Sequence, residues 1–149
     1  MTHPTEILTR AGISNPSVHE FVDGWARILE PDRIEVVDAG ADERLLAEAL
    51  EAGEIIEAGH GRYLAHSHPK DTARSEERTV VATHDSADRG VYNNWRDADE
   101  VRAQQIERMA GAMAGRTMYV VPYLMAPPGS PLARWAVGVQ LSDNRVVVL

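Results

Sequence analysis

The sequence predicts an α/β fold: a mixed β-sheet covered by helices, with an antiparallel hairpin at the C-terminal end. Three observations carry that reading. Short apolar runs recur at Ile34–Val37, Thr79–Thr83, Met118–Met125 and Trp135–Val139, bounded by Gly, Pro or polar residues as strands are. Between them lie stretches whose apolar residues are spaced by three and four, the helical period. Finally, Ser142-Asp143-Asn144 is a turn inside Trp135–Leu149, which reads as a hairpin supplying antiparallel pairing.

The elements follow in order. Glu6–Ala11 has room for one or two helical turns. Asn15 as N-cap and Pro16 at the first helical position open a helix. Its inner face is Val18, Phe21, Val22, Trp25, Ile28 and Leu29, and Pro31 stops it. Asp42 opens a second helix with Leu45, Leu46, Ala49 and Leu50 on one side, and Gly53 stands at the C′ position. From Glu57 the pattern dissolves into polar loop, with a strand-like patch at Tyr63–Ala65 and a second loop at His84–Asn94. A third helix is expected from Ala98 to Ala114, capped by Asp97, closed by Gly115, and inward at Val101, Ile106, Met109, Ala110 and Met113. Met118–Met125 and Trp135–Val139 read as buried strands joined by the stiff loop Ala126–Pro131, where each proline fixes φ and removes a donor. No repeat or domain boundary interrupts the 149 residues, which read as a single domain.

Composition narrows the function. A net charge of −8 argues against a nucleic-acid backbone as partner. No apolar run approaches the roughly 18 residues of a membrane span, and MTHPTEILTR lacks the basic-then-apolar pattern of a leader, so the chain reads as cytoplasmic. The absence of cysteine removes disulfides, thiolate metal sites and a thiol nucleophile. Fourteen arginines accompany the single lysine, Lys70, and arginine is the side chain suited to bidentate carboxylate or phosphate recognition.

Four groups are candidates for chemistry. His68–Thr79 gathers Lys70, Arg74 and Arg78 in a loop before a strand, a place for a small dianion. His60, His66, His68 and His84 include an alternating pair, but no acidic spacing completes a zinc set, so no metal ligand is assigned. The proline loop could offer backbone N–H groups at Gly129 and Ser130, although it is not a P-loop and reads chiefly as structural. Arg116, ahead of a buried strand, could be an anion anchor or a buried ion-pair partner, and the structural reading is favoured.

Two of these stretches carry a resemblance. Gly115–Ala133, GRTMYVVPYLMAPPGSPLA, resembles the Gly-Arg-Thr-Met-Tyr-Val-x-Pro-[aromatic]-x-Met-Gly-Pro-x-Gly-Ser block of GTP-dependent phosphoenolpyruvate carboxykinases, with Ala126 where glycine is usual. Asp71–Thr79 is similar to that family's Asp-x-x-Asp-Val-Ala-Arg-x-Glu-Ser-[Arg/Lys]-Thr motif. There Thr72 replaces valine, and Glu77 replaces serine, adding a negative charge. Pro31-Asp32-Arg33 and Tyr92-Asn93-Asn94-Trp95 resemble further family segments.

The resemblance implies the N-terminal lobe of a two-lobe enzyme that interconverts oxaloacetate and phosphoenolpyruvate plus CO₂ with GTP and manganese. It implies that Arg74 grips the anionic substrate and that no catalytic residue or metal ligand lies within the chain; Arg78, Gly129 and Ser130 are kept as candidate supporting residues, the loop that holds the last two reading chiefly as structural. The family's P-loop, guanine pocket and manganese ligands lie downstream of Leu149, so neither GTP nor manganese is expected to bind this chain alone. The partners implied are a small anionic substrate and the missing C-terminal nucleotide-binding lobe. The apolar Val146–Leu149, read as a strand without a cap, suggests a cut chain that is inactive alone. The alternatives are a free-standing, non-catalytic remnant that binds small carboxylates or a protein partner, and a structural domain that pairs through an edge strand.

Overall fold

The start signal at Asn15-Pro16 is used as written. In a computed structural model, which describes residues 3–66, 75, 78–91 and 94–149, Asn15 Oδ1 accepts the Ser17 amide at 3.0 Å and opens α2, Pro16–Leu29. Ahead of it lies α1, Pro4–Arg10. Glu30 ends α2 in the left-handed region (φ 54°), and the chain passes through Pro31 into β1, Arg33–Val36. α3, Asp42–Glu51, follows and closes at Gly53, whose φ of 69° is the geometry a C′ glycine supplies. These elements belong to the first of two compact units, Met1–His66 with Gly111–Leu149; the second is Ser67–Ala110.

The first unit is built on β6, Thr117–Leu124. β1 lies parallel to it, from Arg33 opposite Thr117 to Val36 opposite Val120. β7, Val137–Ser142, lies antiparallel on its other side, from Tyr119 opposite Ser142 to Leu124 opposite Val137. The sheet is therefore mixed, as expected. Side chains alternate across a strand, so β6 feeds two cores. Met118 and Val120 pack with Leu8, Val22 and Leu29 of α1 and α2. Tyr119 packs on the opposite face with Val37 and Leu45.

Several expectations need correction. β6 and β7 are not buried throughout: the four residues of β1 cover only half of β6, and Tyr123, Leu124 and Val137 are exposed. Trp135 lies in a 3₁₀ turn, Ala133–Trp135, outside the strand. The hairpin expected at Trp135–Leu149 is replaced by the β6–β7 pair, because Arg145–Val148 forms a short helix, α5. Asn144 decides this: its Oδ1 accepts the amides of Val146 and Val147 at 2.9 and 3.3 Å, a cap that starts a helix. The dissolved region after Glu57 contains a hairpin of β2, Ile55–Gly59, and β3, Arg62–Ala65. Its turn residues His60 and Gly61 have φ of 56° and 68°, both positive as in a type I′ turn.

The second unit pairs β4, Val81–Thr83, in parallel with β5, Trp95–Asp97. Trp95 Nε1 donates to Thr83 Oγ1 at 2.7 Å across that pair. Asp97 caps α4, Ala98–Met109, by accepting the amides of Asp99 and Glu100. This helix is shorter than the sequence suggested, since Ala110 turns to ψ 121° and leaves the helical region. Its expected inner face is not buried among the described residues. Met113, assigned to that helix, is instead in the α1–α2 core, with its amide bonded to Leu29 O at 2.9 Å.

α5 is tied to α3 by charge. Arg145 reaches Glu54 at 2.7 Å and Glu48 at 3.4 Å. The Glu48 carboxyl is held below its ordinary value of 4.5, first by the hydrogen bond from Arg44 and further by Arg145, against the opposing effect of burial. A carboxyl depressed in the folded state stabilises above the unfolded value and loses that stabilisation as pH falls through the folded one. Arg145→Met is therefore expected to lower unfolding free energy at pH 7 by about 1 kcal/mol, since these pairs are partly exposed. Urea unfolding should show that deficit shrinking below pH 4.5; an equal deficit at pH 3 and pH 7 would contradict the ion-pair account.

Candidate functional site

Arg74, the substrate residue expected from the sequence, lies outside the described residues, as do Lys70 and His68. What precedes β4 is described at Ser75 and from Arg78 onward. The Arg78 amide donates to Ser75 O at 3.1 Å, and Thr79 Oγ1 donates to the same carbonyl at 2.7 Å. This tight turn fixes the Arg78 backbone close to the start of β4. Its side chain is exposed.

The proline loop belongs to the first unit. Met125 N donates to Ala136 O at 2.8 Å and closes its mouth. Inside, Ser130 N donates to Pro127 O at 3.0 Å, with Pro128 and Gly129 (φ 80°) at the two central positions. Proline followed by a positive-φ glycine is the type II pattern, so this sequence dictates its own turn. Ser130 Oγ accepts the Leu132 amide at 3.2 Å. The Ser130 amide is thus already engaged; the turn can offer a ligand the Gly129 amide and the Ser130 hydroxyl proton. Beyond it, the Arg134 guanidinium stacks 5.0 Å from the Trp135 ring centre.

Arg116 pairs with Asp143 at 2.5 Å, joining the start of β6 to the end of β7. The ion pair expected of Arg116 is present, but its side chain is exposed rather than buried. Of the candidate histidines, His60 shapes the hairpin turn of the first unit and His84 stands 3.8 Å from Asp99 within the second, while His68 lies outside the described residues. Among the described residues no group of three or more His, Asp or Glu is placed to hold a metal. No helix among them is long and apolar enough to cross a membrane.

Sequence reasoning did not anticipate a broad cleft of about 860 Å³ between α1, α2 and the start of β1. Its charges are already balanced. Arg27 is paired with Asp23, Arg33 with Glu35, and Arg10 stands 3.8 Å from Glu6. Asp32 Oδ1 accepts the Gly115 amide at 2.8 Å. An anion entering there would have to compete with these carboxylates, and the cleft does not present itself as a dianion site.

The chain was compared with known proteins. Residues 20–149, which run through both units, match the family model described as phosphoenolpyruvate carboxykinase N-terminal domain. A protein of Corynebacterium kroppenstedtii named phosphoenolpyruvate carboxykinase [GTP] is 36% identical over 146 residues, which is 93% of this chain and 23% of that protein. One of the same name from Anaeromyxobacter dehalogenans is 37% identical over 142 residues, 91% of this chain and 24% of that protein. A third, from Corynebacterium jeikeium, is 30% identical over 149 residues. The chain spans about a quarter of the length of these curated relatives. With the Gly115–Ala133 block laid along β6 and the type II proline turn, and with the family model matched over both units, the chain belongs to the phosphoenolpyruvate carboxykinase N-terminal domain family.

Proposed function

We propose that this chain is the substrate-side, N-terminal portion of a cytoplasmic, GTP-dependent phosphoenolpyruvate carboxykinase. The reaction of such an enzyme converts oxaloacetate and GTP to phosphoenolpyruvate, GDP and CO₂. The observation that carries the reading is the family match over residues 20–149, which includes the Asp71–Thr79 motif. The chain's own contribution is recognition. Arg74 supplies a guanidinium fork to a carboxylate of oxaloacetate, and Arg78 adds a second cation from its turn before β4. Gly129 and Ser130 stand on a rigid polar turn of the first unit, whose part is chiefly structural. Manganese and GTP complete the chemistry in the full-length family, but the described residues fit neither. Among the described residues no acidic or histidine set is placed for the metal, and the sequence holds no Gly-x-x-x-x-Gly-Lys-[Ser/Thr] loop. These 149 residues alone are therefore expected to turn over no substrate.

The test is calorimetric titration of the chain with oxaloacetate. Binding should weaken at least about tenfold in Arg74→Met, the loss of one charge-assisted bidentate contact. The Arg78→Met change should weaken it less. Equal affinity in the Arg74→Met protein would remove the substrate assignment.

A further inference from the structure

The three-stranded sheet has two edges of opposite character. β1 is four residues long and carries Arg33 and Glu35, ion-paired to each other, with Arg44 also on Glu35. Shortness and charge are what keep a sheet edge from pairing with another strand. β7 has neither protection: Val137-Gly138-Val139-Gln140-Leu141-Ser142 is six residues without a charge or a proline.

The free backbone groups of β7 can be assigned. Met125 N donates to Ala136 O, continuing the register of Leu124 opposite Val137. Hydrogen-bonded pairs alternate along an antiparallel ladder, so Gly138, Gln140 and Ser142 exchange bonds with β6. Pro122, which has no N–H, fits this phase because it stands opposite Val139, in a pair that exchanges none. Val137, Val139 and Leu141 therefore turn their N–H and C=O groups to the open side. Among the described residues no turn, loop or side chain bonds to them there. The apolar surface is continuous with this edge: Val137 is 62% exposed, Trp135 75% and Met125 81%. Contiguous exposed apolar surface of this kind marks an interaction site.

We propose that the β7 edge takes a further β-strand, supplied by the part of a carboxykinase polypeptide outside these 149 residues, through the backbone of Val137, Val139 and Leu141. The proposal rests on the family reading, in which relatives carry about three quarters of their length beyond the matched portion. A second copy is the poorer occupant, because it would bring two chains of net charge −8 together.

Amide hydrogen exchange tests it. In the dilute chain, Val139 and Leu141 should exchange nearly as fast as open backbone, whereas Val120, in the centre of the sheet, stays protected. Protection of the two edge amides at every concentration would overturn the proposal, since the chain would then be covering its own edge. Protection that rises with concentration would overturn it in favour of a second copy. The positive arm is a chimera in which the remainder of the Corynebacterium kroppenstedtii carboxykinase follows Leu149. There the Val139 and Leu141 amides should slow by about 100-fold. Val137→Lys, which leaves the β6 ladder intact, should restore fast exchange. Unchanged exchange in a chimera whose Val120 amide remains protected overturns the proposal. The functional reading fails separately: a protected edge without Arg74-dependent oxaloacetate binding would sink that reading and leave this one standing.

Discussion

Met118→Ala is expected to lower the unfolding free energy by about 4 kcal/mol, within the range for truncating a fully buried side chain. Met118 is wholly inaccessible and stands in register with Ile34 at the β1–β6 junction. It touches the cluster formed by Leu8, Val22, Leu29, Met113 and Val120, so the cavity would open where two helices meet the sheet. That site has little freedom to collapse, because β6 is held between two strands and cannot move toward α2 without breaking a ladder. Met118→Leu conserves volume and should cost less than about 1.5 kcal/mol. Urea unfolding followed by far-ultraviolet circular dichroism measures both. Equal losses for alanine and leucine would mean that the site is not packed as described.

Leu8→Ala is expected to cost about 3 kcal/mol and to show itself locally. Leu8 is the buried residue of α1, and a seven-residue helix has no stability of its own in water. Its carbonyl also accepts the Ile13 amide at 3.0 Å, and Ile13 O in turn bonds the His19 ring at 2.7 Å. Removing the side chain loosens α1 and the turn that leads into α2. Trypsin should then cut at Arg10 many times faster, while the β6 amides keep their exchange protection. Undiminished protection of α1 in the variant would show that something other than Leu8 anchors it.

How much of this was legible in the sequence depended on whether the signal was local. Asn15-Pro16 and Gly53 mark helix ends by chemistry confined to a few residues, and both are used. Asn144 is the same kind of signal, yet Val146–Leu149 looked like a strand because three valines favour one. The cap outweighed them, helped by Arg145 reaching Glu48 and Glu54 some ninety residues earlier, which no local pattern reveals. Tyr63–Ala65 was legible and lies within β3, but its partner β2 hid because Glu57 and Gly59 interrupt the apolar run; the Gly59-His60-Gly61 triplet was the available clue to the turn. α4 was drawn too long because Met113 keeps helical spacing with Met109 while belonging to another core. Of the site, the Pro128-Gly129 turn was readable from its residues, whereas the engagement of the Ser130 amide depended on how that turn closes.

The parallel pairing of β1 with β6 has a consequence for the order of events during synthesis. Residues 33–36 have no sheet partner until residues 117–120 exist. At ribosomal rates of about 5–20 residues per second, that interval is on the order of ten seconds. Throughout it the residues of α1, α2 and α3 have been synthesised but lack the sheet they cover in the folded chain, and Leu8, Val22, Leu29 and Leu45 lack their β6 partners. Closing so long a loop before any non-local contact compensates is the slow kind of folding. The nascent first half of this chain is therefore expected to be a client of chaperones that hold apolar segments, and the emergence of β6 is the event that releases it.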